Sequence, residues 1–163
     1  MALSSYPLQA LLSVRLYRED AARNGLRVAE RLLVQAREDV VRCREELERY
    51  RSWRVEEEGR RYAAILGKVL SLDEIAGFRA SLGALAVGEE ERIQAVGRAQ
   101  DAVARQETAV ARARQAVAVA RREAAKIETH RDIWREGDKK ERERLEDLEL
   151  EEFAGPPPAP DDE

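Results

Sequence analysis

The chain holds few side chains that could carry covalent or metal chemistry. Its single histidine, His130, has no partner set for nucleophilic or acid–base catalysis, and no glycine-rich phosphate loop, CxxC or HExxH motif occurs. The lone cysteine, Cys43, cannot form an intramolecular disulfide. Two runs of three glutamates, 56–58 and 89–91, would point in different directions on a helix and make poor metal sites. These features predict a protein that is not an enzyme and that binds no metal or cofactor.

Arginines on one predicted helix face are the remaining candidates for chemistry, since they could bind phosphate. Residues 92–126 include eight basic and three acidic side chains, whereas residues 127–163 include six and fourteen. The net charge of −4 and the lack of aromatic residues between the arginines argue against nucleic-acid binding. This uneven distribution of charge has two interpretations: a solvated helix surface, or a pair of charged patches for protein partners. The arginines are Arg98, Arg105, Arg112, Arg114 and Arg121.

Two ladders of apolar residues with alternating spacings of three and four dominate the chain. This spacing of 3.5 residues keeps one stripe of a helix facing a partner helix, as in a coiled coil. The second ladder is built mainly from Val and Ala, which suit a close approach to the larger residues of the first. The first ladder is Leu26, Ala29, Leu33, Ala36, Val40, Cys43, Leu47 and Tyr50; the second is Val96, Ala99, Val103, Gln106, Val110, Ala113, Val117, Ala120, Ala124 and Ile127.

Between the ladders the sequence predicts a turn near residues 67–72. Gly59 and Gly67 weaken helix there by about 1 kcal/mol each, and Ser71 with Glu74 has the spacing of a capping box for a second helix. Gly83 and Gly88 are expected to bend or interrupt that helix. Pro7 suits the first turn of the first helix, and no proline follows until Pro156.

The predicted fold class is therefore all-α, a long two-helix antiparallel coiled-coil hairpin. One elongated hairpin is expected over residues 1–153, with each helix about 90 Å long. A disordered, Pro-rich, acidic tail is expected over residues 154–163. No run resembles a signal peptide or approaches the roughly 20 apolar residues of a membrane span, so we expect a cytosolic protein.

Three groups of large apolar residues have no evident partner in a two-helix pairing. One is N-terminal, one follows the turn, and one is Ile133 with Trp134; each either packs the ends of the hairpin or contacts another protein. The N-terminal group is Tyr6, Leu8, Leu11 and Leu12, and the group after the turn is Leu72, Ile75, Phe78 and Leu82.

Both ends of the chain resemble a known family. The stretch YPLQALLSVRLYREDAA resembles the N-terminal pattern of the type III secretion stalk proteins, the YscO/FliJ family, in which a Pro-Leu pair precedes Leu-Leu and a basic residue. The stretch from HRDIWRE to ERERLEDLELEEF is similar to the Trp-containing, acidic end of the YscO branch. The length, the turn and the two ladders agree with this resemblance.

The resemblance implies a cytosolic, antiparallel two-helix coiled coil that serves as the stalk of a secretion ATPase. The implied partners are the ATPase hexamer, the export gate protein and the export chaperones. Carried onto this sequence, the ATPase end comprises Leu8, Leu11, Leu12, Arg15 and Trp134. The protein is expected to act as a monomer near the inner membrane, and whether it is itself exported stays open.

Two other functions remain as alternatives. A generic coiled-coil scaffold would be a stable parallel dimer, whereas the fold-back hairpin is a monomer. A helical nucleic-acid binder would show an affinity that falls steeply with salt.

Overall fold

Two long helices form the chain. The computed structural model describes residues 5–153 and residue 155. Helix α1 spans Gln9–Ile65 and helix α2 spans Leu72–Phe153. The predicted all-α hairpin is confirmed, and so is the turn, which occupies residues 66–71. Apart from Gly155, the predicted tail at 154–163 lies outside the described residues.

Local hydrogen bonds explain where the helices stop and start. Gly67, just after α1, has a φ of 76°, the left-handed conformation that glycine adopts without a Cβ clash. The predicted capping box opens α2, because the Ser71 amide donates to Glu74 Oε2 at 2.7 Å and the Glu74 amide donates to Ser71 Oγ at 3.2 Å. Each bond satisfies a backbone donor that lacks a partner within the helix.

The helices pack in two compact units. We call residues 24–114 the turn unit, and the remaining described residues, 5–23 with 115–153 and 155, the terminal unit. Within the turn unit, Arg37 bonds Glu107 and Arg51 bonds Glu89, so the residue numbers rise along α1 as they fall along α2. The pairing is therefore antiparallel. The first ladder and the second ladder up to Ala113 are buried or half-buried in this unit.

The two helical segments of the terminal unit are also antiparallel. Arg15 Nη1 lies 3.5 Å from Glu123 Oε2, and Tyr6 reaches Ile127 and His130. Its core is small, and its most deeply buried residues are Leu12 and Ala124, each 1% exposed. The ladder residues Val117, Ala120 and Ile127 are half-buried beside them.

Helix α2 runs through Gly83 and Gly88, so the expected interruption there is wrong. A glycine costs a helix only about 1 kcal/mol, which long flanking helical stretches offset. Gly88 instead makes room for Tyr50 of α1. A Cβ at position 88 would lie 2.9 Å from Tyr50 Cζ and closer still to Oη.

Two contacts with α2 hold the Tyr50 side chain at this position. Its hydroxyl donates to the Leu85 carbonyl at 2.9 Å, and the Arg92 guanidinium lies 3.9 Å from its ring centroid. Arg92 Nη1 in turn donates to the Gly88 carbonyl at 2.8 Å. Tyr50 therefore joins α1 to α2 at a site that only a glycine leaves open.

We predict that Gly88→Ala lowers the free energy of unfolding by about 1–2 kcal/mol, measured by urea denaturation, because the added methyl displaces Tyr50. A helical glycine with free space around it, Gly97, is the matched control. Gly97→Ala is expected to raise stability by up to about 1 kcal/mol.

The same substitution in a Tyr50→Ala background tests whether the clash with Tyr50 causes the loss of stability. In a Tyr50→Ala chain the obstacle is gone, so Gly88→Ala should become neutral or stabilising. A Gly88→Ala cost that persists without Tyr50 would disprove this explanation.

Candidate partner-binding surfaces

Nothing in the described part of the chain resembles a catalytic or metal centre. No three His, Cys, Asp or Glu side chains among the described residues are placed to hold a metal ion. One of the larger surface depressions, lined by Asn24, Val28, Arg31 and their neighbours, is an open groove along α1. The candidate sites are the groups of apolar residues that the sequence analysis predicted as contacts for other proteins.

The predicted ATPase-end residues fall into two kinds of environment in the terminal unit. Leu8 and Leu11 are exposed to solvent, whereas Leu12 is buried against α2. Arg15 is half-buried and forms its ion pair with Glu123. Of these four residues, only Leu8 and Leu11 have exposed apolar side chains, at 36% and 37% exposure.

Trp134 lies within an aromatic cluster with Tyr6 and His130. The Tyr6 ring centroid is 5.6 Å from that of Trp134 and 5.8 Å from that of His130. The Tyr6 hydroxyl lies 2.7 Å from His130 Nδ1 and donates to the Ile127 carbonyl at 3.4 Å. Tyr6 is buried, and Trp134 keeps part of its surface exposed. The cluster anchors the chain just before α1 onto α2.

The predicted turn-end residues lie together near the start of α2, in the turn unit. Leu72 is 85% exposed and Ile75 is exposed, whereas Phe78 and Leu82 are half-buried. The Phe78 ring meets the Tyr62 ring edge-on at 5.2 Å. Leu72 and Ile75 are therefore the more accessible half of this group.

Two exposed residues of the turn were missed by the sequence analysis. Leu66 is 78% exposed, and the Val69 side chain is fully exposed. With Leu72 they place three aliphatic side chains in solvent within seven residues. The run ILGKVLSL carries the signal, because it is apolar yet lies at a predicted turn.

Charged residues continue the helix contact beyond Tyr50, where the apolar ladder ends. Arg54, Glu57 and Arg61 follow Tyr50 at spacings of four, three and four, and all are half-buried. Arg54 Nη1 donates to Glu89 Oε2 at 2.5 Å, and Arg61 Nη1 donates to the Ser81 carbonyl at 2.8 Å. The sequence analysis did not predict this polar block, because the ladders were recognised from the spacing of apolar residues only.

Glu89 accepts hydrogen bonds from two arginines of α1. Arg51 Nε donates to its Oε1 at 2.9 Å, and Arg54 donates to its other oxygen. These bonds, first from Arg51 and then from Arg54, lower the pKa of the Glu89 carboxyl below its ordinary value. A carboxyl whose pKa is lower in the folded state contributes stability above its unfolded pKa and loses it as the pH falls through the folded pKa.

We predict that Glu89→Gln lowers the urea midpoint at neutral pH and that the difference from wild type shrinks as the pH falls below about 4.5, the ordinary glutamate pKa. Glu91→Gln, an exposed change two residues away, is the control and should have little effect. A Glu89→Gln deficit that is unchanged at acid pH would contradict the assignment.

These features define a class of protein: an all-α, antiparallel two-helix coiled coil with exposed apolar and charged side chains on its surface. The family described as "Type III secretion protein YscO" matches residues 8–156. The chain belongs to the YscO family and is a component of type III secretion. A comparison with curated proteins gave no significant match.

Two solved structures share the fold. Type III secretion protein YscO from Vibrio parahaemolyticus superposes with a TM-score of 0.83 at 23% identity, over 90% of this chain and 92% of that one. The YscO homologue CT670 from Chlamydia trachomatis gives a TM-score of 0.71 at 23% identity, over 93% of each chain. In the described residues, neither helix has an apolar stretch that could span a membrane.

Proposed function

We propose that this protein is a non-enzymatic central-stalk component of a type III secretion export apparatus. It engages the hexameric export ATPase through the terminal unit and couples the ATPase to the export gate and to export chaperones. Membership of the YscO family supports this function. The exposure of Leu8 and Leu11 beside the aromatic cluster of Trp134 is the observation that supports assigning the ATPase contact to the terminal unit.

The proposed mechanism needs no catalytic side chain in this chain. A two-helix coiled coil inside a six-fold ring cannot contact all six subunits in the same way. Unequal contacts favour some nucleotide states of the ring over others, since a ligand shifts an equilibrium by its differential affinity for the states. The coiled coil would thereby link the state of the ATPase to the gate.

The turn unit offers a second surface for a different partner. Leu66, Val69 and Leu72 expose apolar surface that no other described residue covers. Exposed apolar groups of this kind mark protein-contact sites. We assign this surface to the export gate or to export chaperones, with the protein placed in the cytoplasm beside the inner membrane.

We predict that Leu8→Ala combined with Leu11→Ala sharply reduces stimulation of the cognate ATPase, measured as ATP hydrolysis against added protein. Loss of about 1.4 kcal/mol per apolar contact corresponds to roughly tenfold weaker binding for each residue. Both side chains are exposed, so circular dichroism should show unchanged helicity. Trp134→Ala should act in the same direction, and it also removes the Tyr6 ring contact.

The turn surface provides the matched control. Leu66→Ser combined with Leu72→Ser removes a larger exposed apolar area, from the turn unit, and should still leave stimulation of the ATPase intact. Normal stimulation by the Leu8 and Leu11 variant would remove the assignment of this end. Loss of stimulation by the turn variant would place the ATPase contact elsewhere.

Sedimentation distinguishes the monomeric hairpin from the alternative, a parallel dimeric scaffold. Both ladders are covered within the chain, which favours a monomer. We predict a species near 18.5 kDa in equilibrium sedimentation at micromolar concentration. A stable species of twice this mass would favour the scaffold.

A further inference from the structure

Helix α2 continues past the segment that α1 covers in the terminal unit. Helix α1 begins at Gln9, and the residue before it that packs on α2, Tyr6, meets His130 and Trp134. Every residue from Lys139 to Phe153 is exposed, although α2 stays helical to Phe153. This part of α2 therefore has no covering helix among the described residues.

The spacing of the helix contact nevertheless continues into the uncovered segment. Steps of four and three from Ile127 pass through Arg131, Trp134, Asp138 and Glu141 to Leu145 and Leu148. Leu145 and Leu148 are 47% and 44% exposed, and they lie on the face that α1 covers earlier in α2. Leu150, 68% exposed, lies on the opposite face. The two leucines thus form an unpaired continuation of an existing helix–helix interface.

Charge indicates what could cover this face. Residues 145–153 contain five carboxylates and no basic side chain. The four cations just before them form ion pairs with residues 136–143, so within the described residues none neutralises these five. The carboxylates also lie at the C-terminal end of a helix, where the helix dipole disfavours negative charge. Helix stability therefore does not account for them.

We propose that Leu145–Phe153, which we call the acidic end, docks through Leu145 and Leu148 onto an apolar groove of the export ATPase that is flanked by Lys and Arg. The identity of the partner rests on the function proposed above. A second copy of this chain is disfavoured, because pairing two acidic ends would bring two sets of five carboxylates close together. A basic, amphipathic surface satisfies both the leucine face and the unpaired carboxylates.

Binding of the full chain to the purified cognate ATPase hexamer tests this assignment, with two variants and a matched control. Leu145→Ser with Leu148→Ser removes the apolar face. Glu146→Gln, Asp147→Asn, Glu149→Gln, Glu151→Gln and Glu152→Gln together remove the charge. Each variant should raise the Kd tenfold or more, whereas Leu150→Ser on the opposite face should stay within about twofold of wild type.

Salt and helicity measurements separate docking from unfolding. The wild-type Kd should rise with salt, and the neutralised chain should lose most of this dependence, because screening acts on exposed charges. Circular dichroism should show the neutralised chain at least as helical as wild type, since the unfavourable dipole interaction is gone.

Three results would overturn the inference in distinguishable ways. If the wild-type chain fails to bind the ATPase, both this inference and the proposed function fall. If Leu8→Ala with Leu11→Ala weakens binding while both acidic-end variants bind normally, the function stands and the acidic end is not its contact. If sedimentation shows a dimer that Leu145→Ser with Leu148→Ser dissociates, a second copy covers this face instead.

Discussion

The fold depends on a narrow contact between antiparallel helices, because no large hydrophobic core lies elsewhere in either unit. The buried apolar residues are few, and several are Ala or Val. An Ala in place of a Leu forgoes about 2 kcal/mol of burial at about 0.8 kcal/mol per CH₂. Small residues offset part of this loss by letting the two backbones approach each other. This close approach requires that the small residues recur at regular spacing along the contact. The stability of each unit is thus a sum of many small contacts along one face of each helix.

A contact built from repeating small residues could slide by one heptad, and the polar residues on it oppose that slip. In the turn unit, Arg54 meets Glu89, and Tyr50 fills the space above Gly88. A shift of seven residues would move each side chain about 10 Å from its partner. Polar groups on a coiled-coil face commonly fix register in this way, at a cost in stability. In the terminal unit, the Arg15–Glu123 pair likewise joins the two helices.

The sequence predicted the ladders, the turn and the Ser71 cap, because each rests on short-range spacing or local hydrogen bonds. It did not predict the accommodation of Tyr50 by Gly88, since these residues meet only once the antiparallel register is set. The same limit applies at the candidate site. Leu8, Leu11 and Leu12 were grouped by proximity in sequence, yet Leu12 is buried and its neighbour Leu11 is exposed, because adjacent residues point to different helix faces. Extending the ladder upstream from Leu26 in steps of four and three reaches Leu12, and so would have separated them.

Low sequence identity to the two solved structures agrees with a fold set by periodicity. At 23% identity the Vibrio protein still superposes with a TM-score of 0.83, although most side chains differ. A coiled coil requires apolar residues at its spacing and helix formers elsewhere, so many sequences satisfy it. Such a fold leaves the outward residues largely unconstrained by stability. Exposed apolar residues such as Leu72 and Leu145, and carboxylates at the disfavoured end of a helix dipole, therefore have no explanation in folding and are where recognition of partners is expected to reside.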